Sequence, residues 1–285
     1  KCVSQRKEKM STDSCDAPED WAGVVQTKKH EFPWIIKLGT TKKDIISSDY
    51  QGSIISPNFI ITTAYGVHDK HKTKLFCIVG INNINEYAAG NEGMKLKVKD
   101  VIIHEKYKEH ATGISNNIAL IKLARPLNLG KTDVDAIKLP DPGSDFNGKS
   151  AIVAGWGMNR LLHYRNGKLM KKRLRLGSNK KSKVFLERGA FEKNSLLCVN
   201  LKAEPPCYGD IGGPLMVKNQ EGKYELAGIV SFGPIMDTCV CEGKTSLAAF
   251  YYVNVEHYID WIRKNTEGET YLWGDSPLFW IMNSI

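Results

Sequence analysis

The chain has 285 residues, 42% of them hydrophobic and 25% charged, with a formal net charge of +9. That length and apolar content supply one large core or two small ones, which excludes a disordered or fibrous chain. No run reaches the ~18 consecutive apolar residues of a spanning helix, so no membrane span is expected. In chain order, residues 34–38 and 75–79 are short β-rich runs bounded by turn residues. Residues 94–99 alternate apolar with basic side chains, as a half-exposed strand does, and 118–123 read as a further strand. Val255, Tyr258, Ile259 and Ile262 stand at i, i+3, i+4 and i+7 and predict one closing amphipathic helix. No internal repeat or low-complexity tract interrupts this pattern.

Charge is concentrated in one stretch. Residues 160–188 hold eleven Lys and Arg against the single acid Glu187, while the remaining chain is close to neutral. A block of like charges repels itself and favours an anionic partner. Arg165, Lys168, Lys171, Lys172, Arg173, Arg175, Lys180, Lys181 and Lys183 are the anion-binding candidates, with a solvated loop that binds nothing as the plain alternative. The block lacks the interleaved aromatics of a single-strand stacking platform, and no groove-reading module occurs elsewhere, which argues against nucleic acid. Aromatics cluster again at 271–273 and 277–282, predicting a tail that either covers an apolar patch or anchors a partner.

Six short motifs in sequence order carry a resemblance. Glu31-Phe32-Pro33-Trp34 stands at the front. Residues 53–65 end in Thr62-Thr63-Ala64-Tyr65, and residues 116–123 read Asn-Asn-Ile-Ala-Leu-Ile-Lys-Leu. Val153-Ala154-Gly155-Trp156-Gly157 lies mid-chain, Cys207-Tyr208-Gly209-Asp210-Ile211-Gly212-Gly213-Pro214 follows, and residues 252–262 close the set. Together they resemble the chymotrypsin-like (trypsin family) serine proteases over roughly residues 21–265. The resemblance implies an all-β fold of two six-stranded antiparallel β-barrels with a C-terminal helix, an N-terminal segment 1–20 and an aromatic tail 266–285.

In that family the base, orienting acid and nucleophile follow one another in chain order. The matching positions here are Tyr65, Asn117 and Ile211. Tyrosine titrates near about 10 and is no proton acceptor at neutral pH. Asparagine lacks the charge that stabilises an imidazolium, and isoleucine has no nucleophilic oxygen. Loss of a triad lowers turnover by on the order of 10⁶, leaving only what the oxyanion donors and binding supply. Those donors are backbone N–H groups, at Gly209 and Ile211. His68 and His71, on the loop after Tyr65, are expected several ångströms from the cleft, and Ser276 lies beyond the domain; all three read as bystanders. A hydroxyl or thiol within reach of an imidazole in the cleft would contradict this reading.

The aspartate that pairs with the new N-terminus in activated family members is present as Asp210, yet no trypsin-type cleavage site precedes the matching start near Trp21 or Val24. Asp210 is therefore expected to hold another structural partner or a zymogen-like loop. The resemblance places Pro205 at the base of the specificity pocket, where trypsins have an acid. Seven cysteines suggest disulfides with one thiol left over. The resemblance implies Cys207–Cys239, with Cys241 as the alternative partner, and it places Tyr50 and Gly66 where a family bridge is missing on both sides. No metal or cofactor is implied. The resemblance implies a secreted, non-catalytic homologue whose leader is not part of the sequence. It would act as cofactor, adaptor or decoy among extracellular proteins of a protease cascade, and the basic block would bind an anionic polysaccharide or surface. An endopeptidase with a rebuilt site and a secreted effector that interferes with host proteases are the rivals.

Overall fold

A computed structural model of the chain describes residues 24–40, 50–110, 113–157, 167–177, 194–200, 210–232 and 249–266. The elements run β1 (Val24–Gln26), β2 (Ile35–Thr40), β3 (Gln51–Ile54), β4 (Phe59–Thr62), β5 (Leu75–Val79), α1 (Ile84–Ala88), β6 (Met94–Ile103), β7 (Lys108–His110), β8 (Gly113–Ser115) and β9 (Ala119–Leu123). They continue with β10 (Ser150–Gly155), β11 (Met170–Arg175), β12 (Leu196–Asn200), β13 (Pro214–Lys218), β14 (Tyr224–Phe232), β15 (Ala249–Asn254) and the closing helix α2 (Ile259–Asn265).

Strands β2, β3, β4, β9, β6 and β5 close into a six-stranded antiparallel barrel. Side chains on alternate positions point inward, so Ile36 and Leu38 of β2, Cys77 and Val79 of β5 and Ile121 and Leu123 of β9 share one interior. The second half forms a seven-stranded sheet in the order β1-β11-β10-β13-β14-β15-β12. Within it β11 and β12 also lie against one another, and β1 is an extra edge strand on β11. Val153, Leu174, Leu215, Val217, Val230 and Tyr252 fill its interior. A third cluster joins the halves: Phe59, Phe76 and Leu120 from the outer face of the barrel share it with Trp156, Met216 and Val253 of the second half.

The expected closing helix begins with a 3-10 turn at Glu256–Tyr258 before α2, and buries Ile259 and Ile262 as the spacing requires. The strand predicted at 94–99 runs on to Ile103, through a bulge between Val98 and Asp100. Helix α1 and the small β7–β8 hairpin were not foreseen. Helix α1 has Asn83 as its N-cap, the side chain accepting from Asn85 N at 3.0 Å. Segments 1–20 and 267–285, including the aromatic tail, lie outside the described residues.

Candidate functional site

The site lies where the two halves touch. Tyr50 forms a parallel bridge with Ile211, and Gln51 N donates to Ile211 O at 2.7 Å. This contact leaves almost no space. A Cβ on Gly212, whose φ is +84°, would stand 2.2 Å from Gln51 O and 2.5 Å from Thr62 Oγ1, so only glycine fits. Gly213 is confined as well, a Cβ there standing 2.8 Å from Asp210 O, so packing alone requires this glycine pair whatever residue precedes it.

The three positions singled out in the sequence come together around this contact. Asn117, 1% exposed, accepts from the Tyr65 backbone N–H at 2.9 Å through Oδ1 and donates to Ser231 Oγ at 2.9 Å through Nδ2. Ser231 follows Val230, which exchanges backbone hydrogen bonds with Gly212 and Gly213. Ile211 itself is 2% exposed, its aliphatic side chain turned into the protein. Tyr65 is 37% exposed, and its ring packs edge-on against Tyr50 with centroids 6.2 Å apart. Tyr50, which the sequence marked only as one side of the missing bridge, therefore touches two of the three positions.

Tyr50 also fills the place of the missing family bridge. A Cβ on Gly66 would lie 3.0 Å from Tyr50 Cδ1, so ring and glycine occupy the space between the two chain segments. Lys70 caps the other side, with Nζ 3.9 Å from the Tyr50 ring centroid and a hydrogen bond to Gly66 O.

His68 lies on the loop beside Tyr65. Its ring stacks on Tyr65 with centroids 5.9 Å apart. Its Nε2 stands 3.1 Å from Asp69 Oδ2 and 3.2 Å from Glu109 Oε1, and its Nδ1 lies 3.3 Å from Tyr65 O. Tyr107 closes the row at 5.3 Å and donates to Glu109 at 2.8 Å; burial, with help from that carboxylate, pushes its phenol well above the usual range. These partners of His68 are carboxylates and a carbonyl.

Imidazole–hydroxyl contacts do occur among the described residues. His71 Nδ1 meets Thr73 Oγ1 at 2.7 Å on an exposed turn. His110 Nε2 meets Ser115 Oγ at 2.9 Å, an intra-hairpin contact between β7 and β8 in which Ser115 Oγ also reaches Lys108 O at 3.3 Å. Ser115 is buried and lies two residues before Asn117.

Asp210 is held by side chain and backbone. Its Oδ1 accepts from Gln51 Nε2 at 3.1 Å and from Gly157 N at 2.9 Å, and its charge adds to the burial that raises the Tyr252 phenol. The expected oxyanion donor at Gly209, the pocket residue Pro205 and the pair Cys207–Cys239 lie outside the described residues. Cys77 is a free thiol inside the first barrel.

Strand β11 carries part of the basic block. Alternation sends Arg173 and Arg175 to solvent, and Lys168 is exposed just before the strand. Lys171 faces the same way but is ion-paired with Glu31 and lies 5.8 Å from the Phe32 ring centroid. Lys172 points inward and is 8% exposed. Lys218 of β13 lies 5.2 Å from the Tyr224 ring centroid, and the charges of Lys171 and Arg173 act on the same phenol. Arg165, Lys180, Lys181 and Lys183 lie outside the described residues. The pairing with Glu31 and the inward turn of Lys172 follow from strand register and could not be read from the charge count.

A closed six-stranded barrel, a second sheet and a short C-terminal helix, with the motif residues at their junction, define a trypsin-like fold. The Trypsin family model matches residues 22–262, and the chain belongs to that family. It is similar to phenoloxidase-activating factor 3 of Holotrichia diomphalia, with 28% identity over 88% of this chain and 74% of that protein. It also resembles the CLIP domain-containing serine protease B4 of Anopheles gambiae, at 28% identity over 85% and 69% of the two chains. Chymotrypsin-C of Bos taurus is 29% identical over 84% and 85%. Among the described residues no helix is long and apolar enough to cross a membrane.

Proposed function

We propose that this chain is a secreted, non-catalytic trypsin-family protein that works by binding, as a cofactor, adaptor or decoy in an extracellular protease cascade. The observation that carries the reading is Ile211, a hydrocarbon side chain buried at the nucleophile position. It can form no acyl-enzyme. Asn117 supports the same reading, because its amide is used to hold the Tyr65 backbone and Ser231, and carries no charge for an imidazolium. The names of two relatives, a phenoloxidase-activating factor and a CLIP-domain protease, support a cascade setting. The exposed cations Lys168, Arg173 and Arg175, with Arg165, Lys180, Lys181 and Lys183 beside them in sequence, support contact with an anionic polysaccharide or surface.

The test is covalent. The protein, before and after limited trypsin treatment, is incubated with a fluorophosphonate probe and a panel of peptide substrates. No labelling and no turnover above the buffer rate is the expected result. Stoichiometric modification would overturn the reading. If the Ser115→Ala variant then lost the label, the His110–Ser115 pair would be the rebuilt centre.

A further inference from the structure

The outer face of the first barrel carries a second cationic surface, separate from the basic block. Strand β6 sends Lys95 and Lys97 outward, and the bulge after Val98 keeps both Lys99 and Asp100 exposed. Leu96 and Val98, between them, turn to the interior. Lys97 is paired with Phe76 of β5 and Lys95 with Ile78, so the row runs along a two-sided sheet. Lys122 of β9 stands opposite Asp100, and the exposed 3-10 turn Lys72–Lys74, which packs on β6, adds Lys72 and Lys74. Across these elements and β5 there are six lysines and one acid, Asp100, itself ion-paired with Lys72 at 2.9 Å. Lys74, Lys95, Lys97 and Lys99 form no ion pair among the described residues.

We infer that this face binds a linear sulfated polysaccharide. Alternate residues of a strand lie about 6.7 Å apart, so Lys95 and Lys97 stand in line, and Lys99 on the bulge extends them as a row of exposed point charges rather than a pocket. Such a row suits a chain with charges repeated along its length, and ammonium groups demand no fixed bidentate geometry. The aromatic rings of the face are not open to bases: Phe76 and Phe59 are buried, with Lys95 Nζ 4.0 Å and Lys122 Nζ 5.3 Å from their centroids. A single-strand stacking platform is therefore missing. Met94 is the large exposed apolar side chain that borders the row, too little for insertion into a lipid surface. The inference does not depend on the cleft being inactive.

The experiment measures binding of a size-defined heparin oligosaccharide by calorimetry at several salt concentrations. Binding is expected to weaken as salt rises. A Lys95→Gln/Lys97→Gln/Lys99→Gln variant should bind roughly tenfold more weakly at ~0.1 M salt, with a shallower salt slope, while Lys→Arg changes at the same positions keep the affinity. If the triple variant folds poorly, Lys97→Gln alone, checked by thermal melting, should give a part of the same loss. A Lys168→Gln/Arg173→Gln/Arg175→Gln variant reports separately on the second half. The inference is overturned if the β6 variant melts like the parent and keeps its heparin affinity. It is also overturned if single-stranded DNA or anionic vesicles bind more tightly than heparin at equal salt. None of these readouts involves catalysis, so the result stands apart from the labelling experiment.

Discussion

The Tyr65 backbone N–H donates to Asn117 Oδ1 at 2.9 Å, across 52 residues of sequence and beneath the exposed Tyr65 ring. With its Nδ2 on Ser231 Oγ, the Asn117 amide ties the β4–β5 connection to β14 of the other half. Both ends of the amide are buried, so its removal strands one donor and one hydroxyl. Asn117→Ala should therefore destabilise the protein by about 2–3 kcal/mol, read as a lower midpoint in urea unfolding. A loss below about 0.5 kcal/mol would mean that water replaces the amide and the tie is dispensable.

Gly155 reports on how Asp210 is held. A Cβ at this position would stand 2.0 Å from Asp210 Oδ1 and 2.7 Å from Gln51 Nε2. Both atoms belong to the contact that fixes the carboxylate. Gly155→Ala must push the carboxylate off its Gln51 and Gly157 donors, at a cost of about 2–4 kcal/mol. Thermal melting of the variant checks it. An unchanged melt would show that Asp210 has room to move, and that its bonds to Gln51 and Gly157 are not what positions it.

The fold was legible because six motifs occur in order and strand periodicity agrees with them. The alternation at 94–99 gave the first stretch of β6, but its bulge keeps Lys99 and Asp100 on one side, which no period-2 reading anticipates. At the site, the sequence pointed to Tyr65, Asn117 and Ile211, since each stands inside a recognisable motif. It set Tyr50 opposite Gly66 at the missing bridge, but the contacts of Tyr50 with Tyr65 and Ile211 depend on packing between segments and had no signal. The basic block was visible as charge, yet the share of it left for a ligand depends on register. Lys172 turns inward opposite Val24, and Lys171 finds Glu31.

Glu225 should make stability fall as pH rises. Burial raises its carboxyl above the usual range, partly offset by the charges of Lys149 and Lys138 and reinforced by Asp141. The folded protein then holds this proton more tightly than the unfolded chain. The group favours folding when protonated, and that advantage is lost as pH climbs from about 4.3 through the raised folded value. Glu225→Gln removes the ionisation. Its melting temperature should exceed the parent's at pH 7, with the gain shrinking to nothing below about pH 4. A variant less stable than the parent at pH 7 would show that Lys138 and Lys149 more than compensate the buried charge.

Cys77 should be chemically silent in the native protein. It sits fully buried on β5 inside the first barrel, and burial pushes its thiol up to about 12. At pH 8 only about one such thiol in 10⁴ is ionised, and the thiolate is the species that alkylates. Closure of the barrel adds a second barrier, because a reagent must wait for strands to open. Iodoacetamide at pH 8 should thus leave the Cys77 peptide unmodified in native buffer and modify it fully in denaturant, as mass spectrometry of the digest would show. Native labelling at the rate of a free thiol would mean that the first barrel opens readily around β5, and the cationic face built on β5 and β6 would then lack a rigid support.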